Sequence, residues 1–297
     1  MKLKNKLELS WAYFGGEPLG LPVLEILKEN GLIPNLIVCN PDRKSGRKML
    51  LTPPSVKEFA QKNSITVFQP ESLKNKESLP LLTGKCWDLF VVVAYNHIIP
   101  KWLFELPKYK TLNLHPSLLP ALRGPSPIRT AILEDRKEAL GVTVILINEK
   151  LDSGPILGQE PVYINENDWP KSGIELDNIL AKKGGDLLTR TIPRYLNGEI
   201  IPKNQDENFQ SYTKKFTKEM GFLKIDPHNL PQGSEARDMF LKICAFEGFP
   251  GTFFIYNKKR VKVLEATVEN NTLKPLLVLP EGKKEISFGD YLRSLKS

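Results

Sequence analysis

Residues 110–136, KTLNLHPSLLPALRGPSPIRTAILEDR, pass from a strand to a helix through a proline-rich corner. Over 110–115 the side chains alternate with a period of two, and Pro116 has no N–H to extend a ladder, so a strand stops there. Ser126 then offers an N-cap and Pro127 an N1 residue to a helix over 126–136. Asn113 and His115 therefore share one face at the carboxyl end of a strand. In open α/β sheets ligands bind beyond those ends, which makes the pair a candidate crevice.

Working outward, residues 7–16 read as a buried strand entering a glycine turn. Residues 19–31 have helical spacing, with Pro22 tolerable in the first turn and an Asn-Gly stop. Residues 34–40 and 65–70 read as strands on either side of a basic loop and a helix over 55–63. The run WDLFVVVAYN (87–96) is apolar throughout, as a strand buried on both faces should be. Residues 141–147 and 156–164 look like a strand pair. Alternating strands and helices predict an α/β class, a Rossmann-like, doubly wound, mostly parallel sheet.

From about 196 the text becomes polar and reads as a connecting arm. A helix near 233–246 follows, then alternation over 251–268 that predicts an antiparallel hairpin around 257–259, and a short closing helix at SFGDYLRSLK. The expected division is 1–204 for an α/β domain and 205–297 for a smaller β-rich one.

Composition narrows the function classes. The chain has 297 residues, 41% of them hydrophobic, enough for a real core. No run approaches the ~18 apolar residues of a membrane helix, and the basic start lacks the apolar region of a signal peptide. Cys39, Cys86 and Cys244 are far apart, so neither a disulfide nor a thiolate zinc site is expected and a reducing cytoplasm is the natural home. His97 and His228 lack metal-ligand spacing, and no metal is expected. The net charge of +8 suits an anionic partner. Gly15, Gly16 and Gly20 do not make a G-x-G-x-x-G fingerprint, and Pro18 removes an amide from that turn, which argues against a dinucleotide.

Chemistry-bearing residues gather near the corner. Asp152, in KLDSGPIL, follows another expected strand by a few residues. A carboxamide donor, an imidazole and a carboxylate suit acyl transfer to an amine, although an Asn-x-His pair at a strand end is more often turn chemistry or a satisfied polar pair, and Asp152 also suits a turn. The apolar residues of SLLP (117–120) could wall a flat aromatic ring, and Arg123-Gly124 reads as a flexible basic corner. RKSGRK (43–48) carries four cations in six residues and reads as a solvated loop or as a phosphate-following one.

The segment NLHPSLLPALRGPSPIRTAI followed by GVTVILINEKLDSGPIL resembles the formyltransferase family that uses 10-formyltetrahydrofolate, and within it the branch acting on methionyl-tRNA. FGGEPLGLPVLEIL, NPDRKSGRKMLLTPPSVKEFA, DLFVVVAYNHIIPKWLF, KKGGDLL, PKNQDENFQSYTKK and PGTFFIYNKKRVKVLEA fall in the family's order, so the likeness spans nearly the whole chain. The resemblance implies Asn113, His115 and Asp152 as the catalytic trio. It implies Ser117, Leu118, Leu119 and Pro120, bordered by His97 and Ile98, as the folate-binding stretch, with Leu119–Pro120 cis. It further implies Arg43, Lys44, Arg47 and Lys48 as contacts to tRNA, and a C-terminal domain like a shortened OB-fold barrel.

The implied reaction moves the formyl group of 10-formyltetrahydrofolate to the α-amino group of initiator methionyl-tRNA through a tetrahedral intermediate. A free α-amino group has a pKa of about 8, so strong base activation is unnecessary. What the site must supply is oxyanion stabilisation and a path for the proton. The rivals are N-formylation of a nucleotide-linked amino sugar and hydrolysis of the formyl donor. The basic loop at 43–48 favours tRNA. A cytoplasmic monomer with no membrane partner is expected.

Overall fold

The computed structural model describes residues 9–45 and 49–295. By contact they fall into two units that interleave along the chain. One comprises residues up to 123 with 141–162 and 177–211; the other comprises 124–140, 163–176 and 212 onward.

In the first unit, β1 (Trp11–Gly15), β2 (Leu36–Val38), β3 (Arg43–Ser45), β4 (Leu50–Thr52), β5 (Thr66–Phe68), β6 (Leu89–Val93), β7 (Thr111–His115), β8 (Gly141–Leu146) and β9 (Ile156–Pro161) follow in chain order. Among the described residues, seven of them form one sheet in the order β5-β2-β1-β6-β7-β8-β9. The pairs from β5 to β7 are parallel, whereas the pairs β7–β8 and β8–β9 are antiparallel. This is the doubly wound, mostly parallel sheet expected, with the 141–164 strand pair at one edge.

Local chemistry explains the elements. Strand β1 is buried on both faces, yet its pleat still sorts the side chains. Ala12 and Phe14 join a core with Leu36, Phe90, Val92 and Leu103, while the Tyr13 hydroxyl donates to the Gly20 carbonyl at 2.7 Å. Helix α1 (Gly20–Glu29) ends at Asn30, and Gly31 takes φ +80° where the chain turns away. Helices α2 (Ser55–Lys62), α3 (Pro80–Thr83) and α4 (Lys101–Phe104) complete the crossovers. The basic stretch begins as a strand, not a loop, over Arg43–Ser45. Strands β3 and β4 make a small antiparallel hairpin, with Arg43 opposite Thr52 and Lys44 opposite Leu51. Arg47 and Lys48 lie outside the described residues.

The second unit holds α5 (Pro127–Leu133), packed on α7 (Gly233–Ala245), and α8 (Phe288–Ser294). Ser126 occupies the N-cap position of α5, but its side chain makes no cap bond. Four strands, β10 (Thr252–Tyr256), β11 (Lys259–Glu269), β12 (Thr272–Pro280) and β13 (Ile286–Ser287), form an antiparallel sheet among the described residues. That is one strand fewer than a five-stranded OB barrel. Asn257 and Lys258 both have positive φ, as do Asn270 and Asn271, the signature of two-residue hairpin turns. The first hairpin is legible in the alternation; the second, at Asn-Asn, emerges only in the structure. Leu223, Phe254, Val261, Val263, Leu273 and Phe288 are among the residues that fill its core.

Helix α6 (Gly173–Leu196) runs from residues of the second unit into residues of the first, and the sequence pattern does not anticipate it. Leu176, Leu180, Leu187, Leu188 and Ile192 give it the helical period, but two adjacent glycines interrupt the pattern. Tertiary packing demands them. A Cβ at Gly184 would stand 2.5 Å from Leu114 Cδ2 of β7, and one at Gly185 would stand 2.8 Å from Ile26 of α1. The helix therefore lies close against the face of the sheet that carries Leu112 and Leu114. Gly184→Val should destabilise the protein by about 1–3 kcal/mol through overpacking, read as a lower urea midpoint. An unchanged midpoint would show that the packing there yields freely.

Candidate active site

Because Leu114 faces α6, the alternate residues Thr111, Asn113 and His115 face the other way. Thr111 fixes that face by donating to the Phe104 carbonyl of α4 at 2.7 Å. The antiparallel register sets His115 opposite Thr143, and Thr143 opposite Gln159. A polar row thus crosses three strands at one end of the sheet.

Asp152 reaches this row from the loop between β8 and β9, with φ +49°. Its two carboxylate oxygens divide their attention. Asn113 Nδ2 donates to Oδ1 at 3.3 Å, and His115 Nδ1 lies 3.6 Å from Oδ2. The carboxylate only accepts, which fixes the orientation of the Asn113 amide. On the far side of the ring, His115 Nε2 lies 2.9 Å from the Leu122 carbonyl oxygen. A carbonyl also only accepts, so Nε2 carries a proton and Nδ1 is the nitrogen free to gain or lose one. His115 is 4% exposed, whereas Asn113 is partly open.

The stretch 117–120 is held by the same row. Thr143 Oγ1 donates to the Ser117 carbonyl at 2.6 Å and accepts from Leu119 N at 3.2 Å and Gln159 Nε2 at 2.9 Å, which uses the full capacity of a hydroxyl. Gln159 also donates to the Leu119 carbonyl at 2.8 Å. Ser117 and Leu119 are buried; Leu118 and Pro120 are partly exposed. The Leu119–Pro120 peptide is cis, as the resemblance implied.

His97 and Ile98 follow the carboxyl end of β6, the neighbour of β7. The His97 ring lies over Tyr95 at 5.4 Å, and Ile98 is 93% exposed. Arg43 and Lys44 are exposed on β3. A cleft of about 630 Å³ opens against the Asp152 loop, lined by Asn148, Lys150, Ser153, Gln205 and Glu207 among others, with none of the trio in its wall.

Cys39, at the end of β2, is buried, and that burial pushes its thiol up to about 12. It stays protonated at neutral pH and is no candidate nucleophile. Among the described residues no group of three His, Cys, Asp or Glu side chains could hold a metal ion, and no helix is long and apolar enough to cross a membrane.

Residues 16–192 match the family described as formyl transferase. The chain is 34% identical to the methionyl-tRNA formyltransferase of Bacillus licheniformis, over 95% of this chain and 93% of that protein. The chain belongs to the formyl transferase family.

Other members of the family are similarly near. The methionyl-tRNA formyltransferase of Caldicellulosiruptor saccharolyticus is 38% identical over 78% of this chain and 71% of its own. Among solved structures, a 4-N formyltransferase from Francisella tularensis superposes with a TM-score of 0.64 at 20% identity, covering 86% of this chain and 97% of its own. The methionyl-tRNA formyltransferase from Clostridium thermocellum gives 0.57 at 16%, covering 94% and 99%. Likeness at that level speaks for the fold alone.

Sequence reasoning missed several residues that hold the site. Arg123, expected at a flexible corner, is 1% exposed. Its guanidinium donates to Gln205, Glu207 and Gln210, and it holds the Glu207 carboxyl below the usual range. The polar arm after 196, expected as a connector, thus returns to the corner at 120–123. Polar side chains spaced along an arm carry no period that would have revealed this. Thr143 and Gln159 were hidden for another reason: each sits in an expected strand, but only the register shows that they stand beside His115.

Proposed function

We propose that this protein transfers the formyl group of 10-formyltetrahydrofolate to the α-amino group of methionyl-tRNA, with Asn113, His115 and Asp152 as its catalytic residues. The observation that carries the chemistry is a single carboxylate, Asp152, engaged by the Asn113 amide and the His115 ring at the carboxyl end of β7. The tRNA substrate follows from curated relatives of that name aligned over 95% of the chain.

The steps balance without an activated nucleophile. The uncharged α-amino nitrogen attacks the formyl carbon, and the formyl oxygen takes the negative charge. Asn113 gives one N–H to Asp152 and has a second for that oxygen. His115 Nδ1 accepts the proton from the attacking nitrogen, and Asp152 stabilises the imidazolium so formed. As the carbon–N10 bond breaks, the proton is delivered to N10 and tetrahydrofolate leaves. The rest of the folate lies along Ser117–Pro120, with Leu118 and Pro120 toward the ring and His97 and Ile98 at its border. Domain roles follow the same reading: the α/β part, 1–204, performs the transfer, and the reduced OB-like unit within 205–297 binds tRNA. The protein works as a cytoplasmic monomer on initiator methionyl-tRNA.

The deciding experiment offers purified protein 10-formyltetrahydrofolate with either methionyl-tRNA or a nucleotide-linked amino sugar. Formylation of the sugar alone, or release of formate with neither acceptor used, would overturn the reading.

The cationic stretch gives a second measurement. If Arg43, Lys44, Arg47 and Lys48 meet the tRNA backbone, replacing all four weakens use of methionyl-tRNA. It also reduces the log–log salt slope by roughly 0.7–0.9 for each phosphate left without its cation. A merely solvated hairpin predicts coincident salt curves for the two proteins.

A further inference from the structure

The Arg123 guanidinium is buried and fully engaged. Gln205 Oε1 accepts from its Nε at 3.1 Å and from Nη2 at 2.8 Å, and both Glu207 oxygens and Gln210 Oε1 take the remaining directions. A guanidinium only donates, so Gln205 must present its oxygen to Arg123 and turn its NH2 group away. That NH2 donates to the carbonyls of Asp152 and Gly154, each at 2.8 Å. Both protons are used, one on either side of the turn that carries Asp152.

That turn is exacting. Asp152 adopts a left-handed backbone, and a Cβ at Gly154 would stand 1.6 Å from the Leu146 carbonyl oxygen. The same arm reaches His115 by another route. Ser211 accepts from Arg123 N at 2.8 Å and from Leu122 N at 2.9 Å, and its own N–H donates to the Pro120 carbonyl at 3.2 Å. Leu122, with φ +61°, is thereby held with its carbonyl against His115 Nε2.

We propose that residues 205–211, keyed to Arg123, form a strap that positions the catalytic groups, with Gln205 as the positioning residue that sets Asp152 against Asn113 and His115. This rests on the formyl-transfer reading above. The buried Arg123 acts through Gln205 by fixing which way its amide points. The strap holds the acid by its backbone and the imidazole by its tautomer.

Gln205→Glu tests this. The carboxylate still accepts from Arg123, now as an ion pair, but donates nothing to Asp152 or Gly154. Turnover should fall roughly 10- to 100-fold, with KM for methionyl-tRNA and for the formyl donor within about threefold and thermal stability retained. Gln205→Met, which adds no charge, should lose turnover to a similar degree; it separates lost donation from added charge, and it stands in should the first variant not fold. In 15N-histidine spectra the His115 Nδ1 resonance should move in both variants. Turnover within about twofold of wild type in a folded variant overturns the proposal. If wild type itself formylates neither acceptor, the reaction reading falls. The His115 resonance then decides the strap separately, and an unmoved Nδ1 signal overturns it.

Discussion

His115→Ala and Asp152→Asn should each lower turnover with methionyl-tRNA by at least ~100-fold, the scale of a positioned proton-transfer group. The two changes act differently. Alanine removes the ring proposed to take the proton from the attacking nitrogen. Asparagine keeps the shape of Asp152 but replaces an acceptor by a group that can donate, so the imidazolium loses its counter-charge 3.6 Å from Nδ1. Neither residue lies in the 117–120 stretch assigned to folate, so affinity for tetrahydrofolate should stay near wild type. Steady-state turnover and a folate titration on each variant check this. Either variant working within about tenfold of wild type would be incompatible with the assigned proton path.

Asn113→Ala should cost about 10²–10³ in turnover, the usual loss when a single oxyanion donor is removed. The effect should fall on kcat and kcat/KM together, because negative charge on the formyl oxygen is absent from the bound substrate and develops in the transition state. The truncation also leaves Asp152 Oδ1 without the amide 3.3 Å away, so part of the loss comes from a less constrained acid. A double variant with Asp152→Asn separates the two parts. Strictly additive losses would mean that Asn113 serves the substrate alone, and a loss no greater than that of Asp152→Asn would mean that it serves only to hold the acid.

Much of this arrangement is legible because it is local. The period of two over 110–115, the ladder ended by Pro116 and the helix signals at Ser126–Pro127 are set by backbone geometry within a few residues. They bring Asn113 and His115 to one face without knowledge of any tertiary neighbour. The Asp152 assignment needs the family resemblance, since nothing between 116 and 151 says that the two segments meet. The β8–β9 pair is visible as alternation, but its antiparallel register with β7, which sets Thr143 and Gln159 beside His115, is not.

Helix α6 shows why local rules fail. Gly184 and Gly185 weaken the helix taken alone, yet they allow its close approach to Leu114 and Ile26. The cost is local and the gain is tertiary, so intrinsic propensity alone points the wrong way there. Arg123 shows the converse. An Arg-Gly pair after two prolines reads as exposed, and only partners 82 to 87 residues away make its burial tolerable.

The sequence by itself determined the α/β class, the strand that ends at His115 and the chemical types that suit acyl transfer to an amine. Those depend on side-chain periodicity and on what each residue can donate or accept, which the chain carries wherever it folds. Tertiary structure alone decided which nitrogen of His115 bears the proton, which way the Gln205 amide points and how the Asp152 turn is held. Each is settled by an acceptor or donor from a distant segment, and a hydrogen bond specifies orientation only once both partners are in place.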